Sequence, residues 1–115
     1  MSSWEEFINY PRNPINSFYD LPIDIQEQVK AFVKENDIKR IKVFGSYFTG
    51  TQHTQDSPKE WLEIKSRVKT LKKQSDLDCI VEDFQNTRIG DLDIFNTDRF
   101  EKHKGLVIYE NREYI

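Results

Sequence analysis

The segment Ser75-Asp76-Leu77-Asp78-Cys79-Ile80-Val81 constrains the fold more than any other stretch of this chain. Cys79, Ile80 and Val81 are apolar in succession, so a strand here is covered on both faces. Two aspartates open that strand. Side chains alternate in direction along a strand, so Asp76 and Asp78 share a face, opposite Leu77 and Cys79. Neighbouring carboxylates repel and raise each other's pKa. A water-facing strand edge could carry such a pair, but the core-like residues that follow argue against one. A divalent cation removes the repulsion, and hard oxygen ligands suit Mg2+.

The rest of the chain surrounds this strand with a small α+β set of elements. Ile25, Val29, Phe32 and Val33 repeat at i, i+4, i+7, i+8, which predicts a helix over 24–36. Asp24, with Glu27 three residues on, is its expected cap, and Asn36-Asp37 its end. Ile38 to Phe44 alternates as a strand running into Gly45-Ser46. Tyr47 to Asp56 is polar and reads as a loop. Ser57-Pro58-Lys59-Glu60 is a helix start with Ser57 as cap and Pro58 in the first turn. Trp61, Ile64, Val68 and Leu71 form the stripe of that helix, and its lysines crowd the C-terminal end, where cations suit the dipole.

Beyond Val81, a turn over 83–87 leads to a strand over 88–95. The short link predicts antiparallel pairing with Leu77 to Val81. A turn over 97–104 ends at Gly105, and Leu106 to Tyr109 is the last strand, with a polar tail to Ile115. The expected architecture is two-layer α+β: a small mixed or antiparallel sheet with helices packed on one side. With 115 residues the chain forms one domain. Residues 1–20 are an N-terminal arm with a short helix over 3–9, broken by Pro11 and Pro14. Its aromatics, Trp4, Phe7, Tyr10, Phe18 and Tyr19, are expected to cover the domain's own core, with a partner surface as the other reading. Residues 51–75 read as an inserted loop and basic helix.

Charged residues make up 32% of the chain and the net charge is −3, so there is no overall nucleic-acid signature. The basic residues Lys59, Lys65, Arg67, Lys69, Lys72 and Lys73 nonetheless gather in the insertion. A single cysteine, Cys79, excludes an internal disulfide and reads as a buried structural thiol. The N-terminus carries no basic region followed by an apolar one, and no stretch reaches membrane-spanning length, so a cytoplasmic location is expected. His53 and His103 stand apart from any other metal-ligand pattern and are expected at the surface.

A further acid follows in Gly90-Asp91-Leu92-Asp93-Ile94-Phe95. Asp93, directly before apolar strand residues, is the preferred third carboxylate, and Asp91 is the alternative. Carboxylates beside a Gly-Ser turn are the parts needed for metal-assisted nucleotidyl transfer. Two metal ions can clamp the attacking and leaving oxygens. Gly45 lets phosphate approach the backbone, and Ser46 adds a hydroxyl donor.

This order of elements resembles the nucleotidyltransferase superfamily of DNA polymerase beta. It looks most like the minimal nucleotidyltransferases, over residues 22–110. The resemblance matches Gly45-Ser46 to the phosphate-binding turn, with Gly50 a second matching glycine. It matches Asp76 and Asp78 to the metal pair, and Asp93 or Asp91 to the third ligand. It implies transfer of NMP, AMP from ATP by default, to an acceptor hydroxyl, with two Mg2+ ions. It also implies a partner, because minimal nucleotidyltransferases often act as antitoxins that adenylylate a HEPN-domain toxin; a homodimer is the other arrangement. Two departures stand out. The insertion lengthens the link from Gly-Ser to Asp-x-Asp, and Tyr47 and Thr49 stand where the family often has arginine. Lys69, Lys72 and Lys73 are expected to supply the missing charge. The competing readings are a binding or scaffold protein that kept this fold without turnover, and a transferase directed to nucleic acid.

Overall fold

The computed structural model describes residues 2–115. Its helices are α1 (Ser3–Asn9), α2 (Ile23–Glu35), α3 (Ser46–Thr49) and α4 (Lys59–Val68), with a 3-10 turn at Phe18–Asp20. Its strands are β1 (Arg40–Phe44), β2 (Leu77–Val81), β3 (Thr87–Ile89), β4 (Leu92–Asn96), β5 (Leu106–Glu110) and β6 (Glu113–Tyr114). They form one mixed sheet in the order β3-β4-β2-β1-β5-β6. The fold is α+β in two layers. Among the described residues no helix is long and apolar enough to cross a membrane.

Strand register divides the sheet into two unlike faces. On one face Ile41 lies opposite Val81, Val43 opposite Cys79, and Cys79 opposite Ile94. Their side chains meet Ile25, Val29 and Phe32 of α2 in the main core. Cys79 is buried there, and burial pushes its thiol pKa up, as a structural cysteine requires. The arm closes the same core with Ile15, Phe18 and Leu21. The opposite face carries Phe44, Asp78, Asp93 and Arg88 in one cross-strand row. Beside that row Lys42 donates to the carbonyls of Phe100 and His103, which ties the loop before β5 to the sheet.

Several local expectations change in the folded chain. The strand predicted over 88–95 is two strands. Gly90, at φ +59, and Asp91 form a two-residue hairpin turn between β3 and β4. The chain therefore reverses once more, and β4 runs parallel to β2, not antiparallel. The short link after Val81 leads only to the edge strand β3. The tail is not free either: β6 pairs with β5, and Phe18 N–H donates to the Ile115 carbonyl at 2.6 Å.

Both expected helix caps are replaced. Pro22 precedes α2, and Asp24 instead accepts from Gln74 Nε2 at 2.5 Å. Pro58 precedes α4, while Ser57 Oγ accepts from Thr54 N–H. In each case a tertiary or loop partner outcompetes the local cap. Helix α4 ends at Val68, so Leu71, Lys69, Lys72 and Lys73 lie beyond it. The expected helical stripe is shortened to Trp61 and Ile64, both buried, and a half-buried Val68.

Ile15 and Phe18 of the arm, with Leu21 just after it, belong to the core, as expected for a core cover, while Trp4 and Tyr19 are exposed. Phe7 stacks on Trp4 and Trp61, and Tyr10 on the Trp61 ring, so α1 docks on α4 through aromatic contact.

Candidate active site

The site begins where β1 ends. Gly45 has φ +72, a conformation that side chains with a Cβ rarely adopt, and it turns the chain directly into α3. Thr49 N–H closes that turn on the Gly45 carbonyl at 2.9 Å. A Cβ at Gly45 would collide with the Asp78 carboxylate. The glycine thus makes room for an acid within the protein, a constraint the sequence does not display. Tyr47, 1% exposed, packs beneath the turn and donates its hydroxyl to the Ser75 carbonyl at 3.1 Å. This bond ties α3 to the start of β2. Gly50 lets the arm close over the other end, where Asn13 N–H donates to the Gly50 carbonyl.

Ser46, Asp76, Asp78 and Asp93 line one cleft of about 380 Å³. Asp78 and Asp93 are direct neighbours across the parallel pair β2–β4. Burial raises the Asp78 pKa, and the adjacent charges of Asp93 and then Asp76 raise it further. Asp76 is neutralised differently. Its Oδ2 accepts from Lys72 at 2.9 Å and from Arg88 at 2.8 Å, while its Oδ1 is buried without a partner. Arg88 also reaches Asp93 at 3.4 Å. Asp91 points elsewhere. Its carboxylate accepts from Gln28 Nε2 at 2.9 Å and Gln74 Nε2 at 3.3 Å, and its backbone N–H donates to Gln28 Oε1 at 2.9 Å. Asp93, not Asp91, shares the cleft with the Asp76–Asp78 pair.

These donors are hard oxygens, and the orphaned Asp76 Oδ1 and the mutual repulsion of Asp78 and Asp93 suit a divalent cation. Among the described residues, however, no three His, Cys, Asp or Glu side chains are gathered as a ready metal-ligand set. Arg88 and Lys72 hold part of the space that such a set would use.

The second wall of the cleft comes from the insertion. Lys69 and Lys72 line it, Lys73 does not, and Lys65 joins them from inside. Lys65 is 3% exposed and His53 is 4% exposed, so His53 is not at the surface as the sequence implied; His103 is. Lys65 Nζ donates to the Thr51 carbonyl at 2.7 Å, to His53 Nδ1 at 2.9 Å and to Ser75 Oγ at 3.3 Å. His53 Nε2 lies 2.7 Å from the Lys72 carbonyl, which can only accept, so Nε2 carries the proton and Nδ1 is the acceptor. Burial lowers the pKa of His53 and brings that of Lys65 down to about 8, with the Lys69 charge adding to the latter. His53 and Ser75 also exchange two backbone-anchored bonds, at 2.9 and 3.0 Å, that close the insertion into a loop.

Sequence reasoning overlooked Lys65, His53 and Arg88. Lys65 carried a signal, because it follows Ile64 and lies four residues after Trp61, on the buried stripe of α4. Arg88 and His53 carried none, since only strand register and loop closure bring them to the cleft. No protein-family model, curated protein or solved structure matches the chain.

Proposed function

We propose that this protein is a metal-dependent nucleotidyltransferase that moves NMP, by preference AMP from ATP, to an acceptor hydroxyl. One observation carries the reading: Asp78 and Asp93 stand side by side on parallel strands, in one cleft with Asp76 and the Gly45-Ser46 turn. In that role Asp76, Asp78 and Asp93 would hold Mg2+, which would supply positive charge against the leaving pyrophosphate. Asp93 takes the acceptor's proton. The acceptor oxygen bonds to the α-phosphorus as the bond to the bridging oxygen breaks, and pyrophosphate departs. Ser46 donates to the phosphate tail. A partner protein or a second copy would present the acceptor; a HEPN-type partner, as in toxin–antitoxin pairs, is the one the resemblance to minimal nucleotidyltransferases implies.

A second reading has its own support. Arg88 and Lys72 already neutralise Asp76, and no ready ligand set exists among the described residues. A binding protein without turnover would look like this. Calorimetric titration of each NTP, with and without Mg2+, on wild type and Asp78→Asn separates the two. Metal-dependent binding of one NTP that the variant loses supports the transferase. Absence of NTP binding to the wild type, with or without metal, removes it.

A further inference from the structure

Two lysines are buried in this domain, and they differ in what lies in front of them. Lys42 spends its ammonium on two loop carbonyls and the Phe100 ring, and acts as a tether. Lys65 faces the main cleft. Among the described residues it has no carboxylate partner, and its N–H groups go to neutral atoms. A buried charge without an opposite charge is costly. An anion in the cleft would offset that cost, and the attraction is stronger there than at an exposed lysine because the surroundings are less polarisable. Lys69 lines the same wall and is likewise without an acidic partner. Lys65, Lys69 and Lys72 line the cleft against Asp76, Asp78 and Asp93, and Arg88 pairs with Asp76 and Asp93, so the carboxylates are balanced even before a metal binds.

We propose that Lys65, with Lys69 beside it, forms a subsite for a polyphosphate chain, preorganised by Thr51, His53 and Ser75 and independent of metal. The geometry supplies the means. The N–H aimed at Ser75 Oγ makes the longest of the three bonds and can turn to a phosphate oxygen. Ser75 Oγ still accepts from His53 N–H, so it is not orphaned when that ammonium N–H is taken up by phosphate. His53 stays neutral and adds no competing charge or proton. Thus the insertion builds half of the site. That the anion is the tail of a nucleoside triphosphate rests on the transferase reading; the subsite does not.

Inorganic pyrophosphate, titrated calorimetrically in the presence of a metal chelator, tests this. Wild type should bind it, Lys65→Gln should weaken binding at least about tenfold, and Lys69→Gln should weaken it less. Asp78→Asn should bind at least as tightly as wild type, because one repelling charge is gone. No binding to wild type, or equal binding to Lys65→Gln, overturns the subsite. Neither result touches the transferase reading, which stands or falls on Mg2+-dependent NTP binding. If Lys65→Gln does not fold, NMR of the lysine side chains in the wild type decides. The Lys65 ammonium, whose pKa burial and the Lys69 charge bring down to about 8, shares the cleft wall with His53, Lys69, Lys72 and Asp76, and should titrate higher with pyrophosphate present. An unmoved midpoint overturns the proposal.

Discussion

The two walls of the cleft are built by opposite means. The carboxylate wall is sheet: Asp78 and Asp93 hold their places because register across four strands leaves them no other. The cation wall is loop and helix end: Lys65, His53 and Ser75 hold theirs through a closed set of side-chain hydrogen bonds. A strand fixes direction by alternation, so a charged side chain there needs no partner to stay oriented. A loop fixes direction only through its partners, so each lost bond loosens the rest. The walls should therefore fail differently. Substitution on the sheet should remove chemistry and spare the fold, whereas substitution in the insertion should affect both.

The largest contrast is expected from Asp78→Asn. Mg2+-dependent NTP affinity should fall about 100-fold or more, by analogy with losses at metal sites generally. The urea unfolding midpoint should hold or rise, because the substitution relieves repulsion with Asp93. A drop in stability together with affinity would break the contrast. Next comes Gly45→Ala. The Cβ meets the Asp78 carboxylate at a left-handed φ, so about 1–3 kcal/mol of stability should be lost, read by chemical denaturation. Wild-type stability from Gly45→Ala would mean that the turn is not held against Asp78.

A smaller effect is expected from pH. Burial lowers the His53 pKa in the folded chain, so the unfolded chain binds the proton first. His53 therefore stabilises the fold fully above its ordinary value near 6.5. That contribution is lost as pH falls through this value toward the lower folded one. Denaturation midpoints at successive pH values should decline there, and His53→Asn should flatten the decline. The smallest effect belongs to Arg67→Ala. Its pair with Glu6 is exposed, at 2.9 Å, and should contribute no more than about 0.5 kcal/mol. Trp61→Ala should cost several times as much, because α1 is held by the stack of Phe7 and Tyr10 on that ring. Similar losses from the two variants would show that charge, not stacking, docks the arm.

Legibility followed the same division. Alternation over Ile38 to Phe44 and the apolar run of Cys79, Ile80 and Val81 gave strands and buried residues, and the period of α2 gave its core stripe. The shared face of Asp76 and Asp78, with Ser46 and a third acid from Asp93 or Asp91 near them, followed from strand ends. What local pattern could not carry was competition between partners. Asp24 and Ser57 are good caps in isolation, yet Gln74 and Thr54 claim them. Gly90-Asp91 permits a hairpin turn, but nothing local announces that β4 will slip in beside β2.

By itself the sequence determined an α+β domain with three acids and a Gly-Ser turn directed to one place, because period and alternation are local and survive any topology. The tertiary structure decided the parallel β2–β4 pair that seats Asp93 beside Asp78, and the choice of Asp93 over Asp91. It also decided the burial of Lys65 on His53 and Ser75, and the reach of Arg88 to Asp76. Those depend on which distant groups meet, and hydrogen bonds and ion pairs between residues far apart in the chain leave no period to read.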